Sequence, residues 1–209
     1  MGDGDHTTAG ARSGGMSGQR IARIAVFAAL VAVLGLTPAF SVPGISVPIT
    51  AQTLGVMIAG LMLVPVEAFL SVALFVGLVA AGLPLLSGGR GGWGVFSTGS
   101  AGFVLGFPVA AAVVALIISG LRKLGGTRLP AVQLATHFVA AVFGGIVALY
   151  CIGIPIGSAV ADIPLGTFFR ASMNFVPGDL LKAAAATVVA TSAFRAAPFL
   201  QPHLARASA

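Results

Sequence analysis

The sequence contains very little charge. Of its 209 residues, 8% are Asp, Glu, Lys or Arg, whereas soluble proteins average about 25%. Eleven basic and five acidic side chains cannot cover the surface of a soluble domain of this size. An ordinary cytosolic globular protein is therefore excluded. The apolar content of 57% also excludes a disordered chain.

Cysteine, histidine and nucleotide-binding motifs are also scarce. Cys151 has no second cysteine with which to form a disulfide, so a disulfide-rich scaffold is excluded. One Cys and three scattered His predict no metal site. The sequence has no G-x-x-x-x-G-K-[ST] string, so the chain cannot hydrolyse ATP by a Walker mechanism. Residues 89–94 match G-x-G-x-x-G, but no predicted strand precedes them, and we predict no nucleotide cofactor.

What the sequence does contain is a series of apolar segments separated by Gly, Pro and a few charges. A membrane-spanning helix needs about 20 mainly apolar residues. The sequence predicts six such spans, near residues 21–37, 50–64, 66–82, 101–121, 130–154 and 174–194. The predicted fold class is therefore an all-α, polytopic membrane protein with a transmembrane domain over 21–195. A cleaved signal peptide is the weaker interpretation of the first segment, because Pro38 interrupts its possible cleavage site.

The distribution of Lys and Arg predicts the orientation in the membrane, since cytoplasmic segments are enriched in both. With six spans and the N-terminus inside, two basic residues, Arg90 and Arg170, fall outside and Lys182 lies within the last span. Eight fall in cytoplasmic segments: Arg12, Arg20, Arg23, Arg122, Lys123, Arg128, Arg195 and Arg206. We therefore expect residues 1–20 and 196–209 to be cytoplasmic tails, the first one disordered. The net charge of +6 follows from this bias and does not indicate a nucleic acid partner.

Asp179 and Lys182 are the most informative polar residues, because a charge within a span is costly and usually marks function. They follow Pro177-Gly178 at the outer end of the last span, and their i,i+3 spacing places both on one helix face. One interpretation is a helix-start carboxylate with an internal ion pair. The other is a solute site in which the carboxylate accepts N–H groups and the ammonium attracts an anion.

Arg90 lies in a glycine-rich outer segment, residues 82–94, whose backbone can approach a ligand closely. The alternative is a flexible loop whose Arg contacts lipid headgroups. Ser100 and His137 suggest a hydrolase pair, but they fall at different depths and should not meet. We expect His137 to be a packing or pore-facing group. We expect Glu67 to lie in an inner turn, where it is solvated or contacts a partner.

Four motifs, in order, resemble the BioY family of biotin-specific substrate-capture (S) components of energy-coupling factor transporters. They are VPITAQTL (47–54), GLP with the GGRGG loop (82–92), GF (106–107) and PGDLLK (177–182). The likeness extends from about residue 21 to residue 195. One departure is the segment TGSAGF (98–103), where the family usually has GPTGGY, so a tyrosine hydroxyl is missing there.

The resemblance implies a six-helix S component that captures biotin from outside and performs no chemistry on it. It implies a biotin site at Asp179 and Lys182, with Gln52 and Arg90 as further contacts. Stacking of the ligand on Trp93 is expected from its position alone. The implied partners are a transmembrane coupling subunit and two ATPase subunits, which would supply the missing ATP chemistry.

The first span carries the spacing small-x-x-x-small twice, at Ala25/Ala29 and at Ala28/Ala32, which permits close helix contact. Such a face serves internal packing or a partner. In S components this face of the first span is a docking surface, so the resemblance favours Ala25 and Ala29 for that role.

Two other functions remain open on the residues alone. One is an ion- or proton-coupled secondary transporter of another small carboxylate, with Asp179 as the proton carrier. The other is an intramembrane hydrolase, which the separation of Ser100 from His137 disfavours.

Overall fold

The computed structural model describes residues 18–37, 50–123 and 130–197. In these ranges the chain is mainly helical and forms no strand, and the only extended pairing is one bridge between Leu86 and Arg90. The α-helices are α1 (Gly18–Gly35), α2 (Gln52–Met62), α3 (Pro65–Ala80), α4 (Ala101–Lys123), α5 (Pro130–Val142), α6 (Leu149–Ala161), α7 (Leu165–Met173) and α8 (Val176–Ala196). A 3₁₀ turn spans Trp93–Ser97, and a π-helical turn, Phe143–Ala148, joins α5 to α6. The all-α prediction is confirmed.

The helices follow the predicted spans closely, with three differences. Helix α1 begins at Gly18, inside the segment assigned to the N-terminal tail. The fifth span is longer than predicted, because α5, the π-helical turn and α6 form one helical run as far as Ala161. Helix α7 lies in a segment for which no helix is predicted. The remainder of both predicted tails, and residues 47–49 of the first family motif, lie outside the described residues.

Three helical segments in the described ranges are long and apolar enough to cross a membrane: Gly18–Gly35, Ala101–Arg122 and Ala131–Ala161. Helices α2 and α3 have 11 and 16 residues, which is short of the roughly 20 that a single helix needs. Helix α8 has sufficient length, but it carries charged residues in its first turns. Six membrane spans therefore stay a prediction.

Helix α4 is at the centre of the bundle and packs against α2, α3 and α6. Glycine allows the closest of these contacts. A Cβ atom on Gly60 of α2 would lie 2.5 Å from Cβ of Val114 in α4, and Gly144 of the π-helical turn is packed against the same valine. These contacts hold three helices close together around fully buried core residues such as Met57 and Leu149.

Candidate ligand-binding site

A cavity lies between α2, α4, α6, α8 and the loop that precedes α4. The cavity and its opening to solvent together contain about 550 Å³ free of protein atoms. All four residues proposed from the sequence, Gln52, Arg90, Asp179 and Lys182, line it. The other lining residues are Thr50, Thr53, Leu86, Ser100, Phe103, Val104, Phe107, Leu149, Tyr150 and Phe175. Folding therefore brings together the charged residues of two distant motifs.

Asp179 is the centre of a hydrogen-bond network that joins three helices. Its Oδ1 atom lies 2.9 Å from Nζ of Lys182 and accepts from the Thr53 hydroxyl at 3.3 Å. Its Oδ2 atom accepts from the Tyr150 hydroxyl at 2.6 Å. Nζ of Lys182 also donates to Thr53 at 3.1 Å. The carboxylate is buried, and these donors compensate its loss of hydration.

The network partly supports the interpretation of Asp179 as a helix-start carboxylate with an internal ion pair to Lys182. The two side chains do form an ion pair within the first turns of α8. However, Asp179 also accepts from Thr53 of α2 and Tyr150 of α6, and the pair lines a cavity. A helix-start carboxylate that only complements the helix dipole needs neither contact.

A tight turn in the loop between α3 and α4 presents Arg90. Leu86 and Arg90 form a pair of backbone hydrogen bonds of 3.0 and 3.2 Å. Gly88 and Gly89 have φ values of 79° and 70° between them, a conformation that favours glycine. The loop is therefore folded, in contrast to the flexible loop that was one interpretation of its composition.

The Arg90 guanidinium is held by neutral oxygen atoms. Its Nε donates to the Ser87 carbonyl at 3.2 Å, and Nη1 donates to the Ser100 hydroxyl at 3.2 Å. Ser100 is in turn 2.8 Å from the Thr98 hydroxyl. Burial lowers the pKa of Arg90 from its usual value, although a guanidinium remains protonated in proteins. No carboxylate in the described ranges forms an ion pair with this cation.

Gln52 connects α2 to the Arg90 loop. Its Nε2 donates to the Leu85 carbonyl at 3.1 Å, and its Oε1 accepts from the Ser87 amide at 3.5 Å. The side chain is fully buried beside Gly35, where a Cβ atom would lie 2.7 Å from Nε2 of Gln52. Gln52 thus lines the cavity and also supports the loop.

Aromatic and aliphatic side chains form the apolar wall of the cavity. Phe103, Phe107, Tyr150 and Phe175 are its aromatic members. The Phe103 and Tyr150 rings meet edge to face, with centroids 5.7 Å apart and an interplanar angle of 88°. Trp93 does not line the cavity: it is 77% exposed and contacts Phe96. The expected position of Trp93 beside the ligand is therefore wrong in this structure.

Four polar residues that line the cavity were not predicted as contacts from the sequence: Thr50, Thr53, Ser100 and Tyr150. Hydroxyl groups are common in apolar helices, so none of them is distinctive by itself. Tyr150 carried one available signal, because it is the only tyrosine of the chain. A buried tyrosine hydroxyl usually has a hydrogen-bond partner.

Glu67 and His137 lie outside the cavity, and the structure shows the hydrogen-bond partners of both. Glu67 is not solvated, because it is buried and accepts from Arg20 and Arg23 of α1, each at 3.1 Å. His137 is buried, with Nδ1 3.0 Å from the Thr191 hydroxyl. It has no contact with Ser100, so the structure agrees with a packing role and gives no support to a hydrolase.

Helix α1 presents its two alanine pairs differently. Ala25 and Ala29 are exposed, whereas Ala28 belongs to the buried core. The ion pairs of Arg20 and Arg23 with Glu67 join the first turns of this helix to α3. The structure thus separates an outward alanine pair from an inward one, which the sequence alone could not do.

The described residues contain no group of three or more His, Cys, Asp or Glu side chains that could hold a metal ion. The charged groups of the cavity instead form an anion-and-cation pair, Asp179 with Lys182, and a separate cation, Arg90. Together with the apolar wall, this arrangement suits an amphipathic organic solute with both N–H donors and an acidic group.

Comparisons with known proteins identify the family. The model of the BioY family matches residues 8–199. "Probable biotin transporter BioY" of Bacillus subtilis (strain 168) is 46% identical over 167 residues, which cover 80% of this chain and 86% of that protein. "Biotin transporter BioY" of Rhizobium etli is 41% identical over 185 residues, which cover 88% of this chain and 98% of that protein.

A solved structure has the same fold. It is the S-component for biotin from an ECF-type ABC transporter, and it matches with a TM-score of 0.78 and 25% identity, over 87% of this chain and 95% of that chain. The predicted S-component bundle is therefore confirmed, and the apolar helices are those of a membrane protein. The chain belongs to the BioY family.

Proposed function

We propose that this chain takes up biotin, as the membrane S component that captures it from the extracytoplasmic side for an ATP-driven energy-coupling factor transporter. The observation that carries the proposal is the cavity in which the Asp179–Lys182 pair and Arg90 share one apolar, aromatic wall. Family membership supports the same function. The chain is not an enzyme, since it carries its ligand unchanged.

The Asp179–Lys182 pair binds the ureido ring of biotin. One edge of a cyclic urea presents an N–H donor beside a carbonyl acceptor. Asp179 supplies an acceptor and Lys182 a donor, and their charged atoms lie 2.9 Å apart. Hydrogen bonds that involve an ionised partner are the stronger ones, so this edge provides much of the affinity.

Arg90 binds the carboxylate of the biotin side chain. Both cations of the cavity are candidates, but Lys182 is already paired with Asp179, whereas the partners of Arg90 are neutral. A ligand carboxylate therefore binds more favourably to Arg90 than to Lys182. Arg90 can also bind it with two parallel hydrogen bonds. Gln52 acts here through the loop that carries Arg90.

Calorimetric titration of biotin into the detergent-purified protein tests this function directly. We expect saturable binding of biotin and weaker binding of biotinamide, which lacks the negative charge. Lipoate shares the acid chain and a sulfur-containing ring but lacks the urea, so it should not compete. Failure to bind biotin, or equal binding of lipoate, would contradict the proposal.

The chain crosses the cell membrane several times, with both termini in the cytoplasm and the cavity open to the outside. The eight-to-two distribution of Lys and Arg supports this orientation. The Arg90 loop and the first turn of α8 then lie on the extracytoplasmic side, where biotin arrives.

The partners are a transmembrane coupling subunit and two ATPase subunits, and the exposed alanines Ala25 and Ala29 of α1 form the docking surface. The sequence lacks a Walker motif, so ATP hydrolysis belongs to other chains. Proteoliposomes separate this mechanism from proton coupling. We expect biotin to accumulate only with all subunits and ATP; accumulation by this chain alone, driven by a proton gradient, would support secondary transport instead.

A further inference from the structure

Trp93 is the only tryptophan of the chain, and it does not line the cavity. It begins the 3₁₀ turn Trp93–Ser97, three residues after Arg90. Its side chain is 77% exposed, and its ring contacts Phe96 at a centroid distance of 5.8 Å. The cavity therefore does not explain why a ring of this size is exposed beside the Arg90 loop.

Backbone contacts place this turn beside the end of α3. The Gly92 amide donates to the Val79 carbonyl, in the last turn of α3, at 2.7 Å. Gly91 lies so close to the Leu83 carbonyl that a Cβ atom on it would collide with that oxygen. These contacts leave the neighbouring residue, Trp93, little freedom to move along the axis of α3. Trp93 is therefore held near the level at which this apolar helix ends.

The exposed surface of the loop is apolar as well. Its one charged side chain, Arg90, lines the cavity. Loops in water usually expose polar side chains. This loop instead continues the apolar surface of α3, on which Phe69, Leu74 and Leu78 are exposed. Its exposed residues are 81–84, Gly88, Gly89, Trp93 and Gly94, with Ser97 and Thr98 at the end next to α4.

We propose that the turn Trp93–Ser97 is a membrane-interface anchor, whose indole ring lies among the lipid head groups and holds the Arg90 loop at the membrane surface. An indole combines a large apolar ring with one N–H donor, and such rings are enriched where acyl chains meet head groups. The partner is thus the phospholipid bilayer. Head-group level is still hydrated, so Gly94 beside the ring stays accessible to polar reagents. The inference does not depend on which solute the cavity binds.

Fluorescence of the wild-type protein tests the anchor, because Trp93 is the only tryptophan. The full chain is reconstituted into phosphatidylcholine vesicles whose acyl chains carry bromine, a short-range quencher, either near the head group or near the bilayer centre. We expect the shallow bromine to quench Trp93 at least about twofold more strongly than the deep one. Iodide in the water should quench Trp93 less than it quenches N-acetyltryptophanamide in the same buffer. Quenching by iodide as strong as for this free indole, with no effect of either bromine, would place the turn in water and overturn the proposal.

Leu116→Trp in a Trp93→Phe protein is the matched control for depth. Leu116 is 57% exposed and lies within the apolar helix α4, seven residues before its end. We expect the deep bromine to quench this tryptophan more strongly than the shallow one. The opposite order in the two proteins then reports depth rather than lipid contact alone. If both tryptophans are quenched in the same order, Trp93 does not lie at the interface and the proposal fails.

A biotin titration separates an anchor from a lid that closes over the ligand. Because Trp93 does not line the cavity, saturating biotin should leave its quenching by either bromine unchanged. Loss of bromine quenching on addition of biotin would show that the ring moves onto the ligand, and would overturn the anchor. Neither result alters whether biotin binds, which calorimetry measures separately.

Discussion

Asp179 shows how a costly residue is stabilised within an apolar bundle. Its burial would be unfavourable without compensation, and three donors from α2, α6 and α8 provide it. The same donors fix the orientation of the carboxylate, so that little reorganisation is needed when a ligand binds. The three donors therefore both stabilise the buried charge of Asp179 and hold its carboxylate ready for a ligand.

Asp179→Asn should lower biotin affinity at least about tenfold. The substitution removes a charge-assisted hydrogen bond, turns one acceptor into a donor and leaves Lys182 without its counter-charge. Calorimetry with biotin and biotinamide should show a similar loss for both ligands. Asp162→Asn is the control, because Asp162 is exposed and its φ of 53° suits asparagine as well. Normal biotin binding with a reduced melting temperature would leave Asp179 as a helix-start carboxylate only.

Arg90→Ala should weaken biotin about tenfold or more and biotinamide much less. In the proposed site the guanidinium binds the ligand carboxylate, which biotinamide lacks, and a hydrogen bond to a charged group contributes about 1.5–3 kcal/mol. Competition binding with both ligands measures the difference. Arg170→Ala, at an exposed position on α7, should change neither affinity. An equal loss for the two ligands would show that Arg90 stabilises the loop and does not recognise the acid.

At the scale of the element, α1 is joined to the bundle on one face and open on the other. Ile24, Ala28 and Val31 are buried. In the first turns of α1, Arg20 and Arg23 donate to Glu67 of α3. Ala22, Ala25 and Ala29 are exposed. Small side chains on an exposed face allow another helix to approach closely, which is where membrane helices gain dispersion energy.

Ala25→Leu and Ala29→Leu should each reduce co-purification with the coupling subunit, because a larger side chain increases the helix separation. Biotin binding should be unaffected, since neither residue lines the cavity. Ala135→Leu on α5 is the control, as it adds the same volume at another exposed position. If both α1 variants assemble as well as this control, the docking surface lies elsewhere.

At the scale of the molecule, orientation decides which side of the membrane supplies the ligand. The Arg90 loop and the start of α8 line the same cavity, so one topological measurement places both. The only cysteine, Cys151, is exposed and must be replaced by serine before single cysteines are introduced. Gly91 is unsuitable as a labelling site, because a Cβ atom there would collide with the Leu83 carbonyl.

Gly94→Cys should react with an impermeant maleimide on intact cells, whereas Gly18→Cys should react only after permeabilisation. A Cβ atom at either glycine meets no described atom within 4 Å, so neither substitution should disturb the fold. The expected difference follows from the Lys and Arg distribution. Labelling of Gly18→Cys on intact cells, with Gly94→Cys protected, would reverse the proposed orientation.

The class of this protein and most of its helices could be predicted from the amino-acid sequence. Low charge and long apolar segments leave only a membrane environment, and helix ends follow local signals such as Pro65 and Pro177. The sequence also singled out Asp179 and Lys182, because an ionisable group in an apolar segment is conspicuous. The family resemblance added Gln52 and Arg90, and all four line the cavity. The longer fifth span was missed because Pro155 follows the predicted end and lies inside the helix. Helix α7 was missed because its nine residues are too few for a membrane span.

Which polar groups contact one another depends on how the helices pack and could not be predicted from the sequence. Tyr150 reaches Asp179 because the π-helical turn and the packing of α6 against α4 set the rotation of the helix. The same kind of long-range geometry buries Glu67 against α1. It also turns Ala25 outward and Ala28 inward. Composition and spacing record how polar a segment is, but the partner of each polar group depends on the relative rotation and depth of helices far apart in sequence.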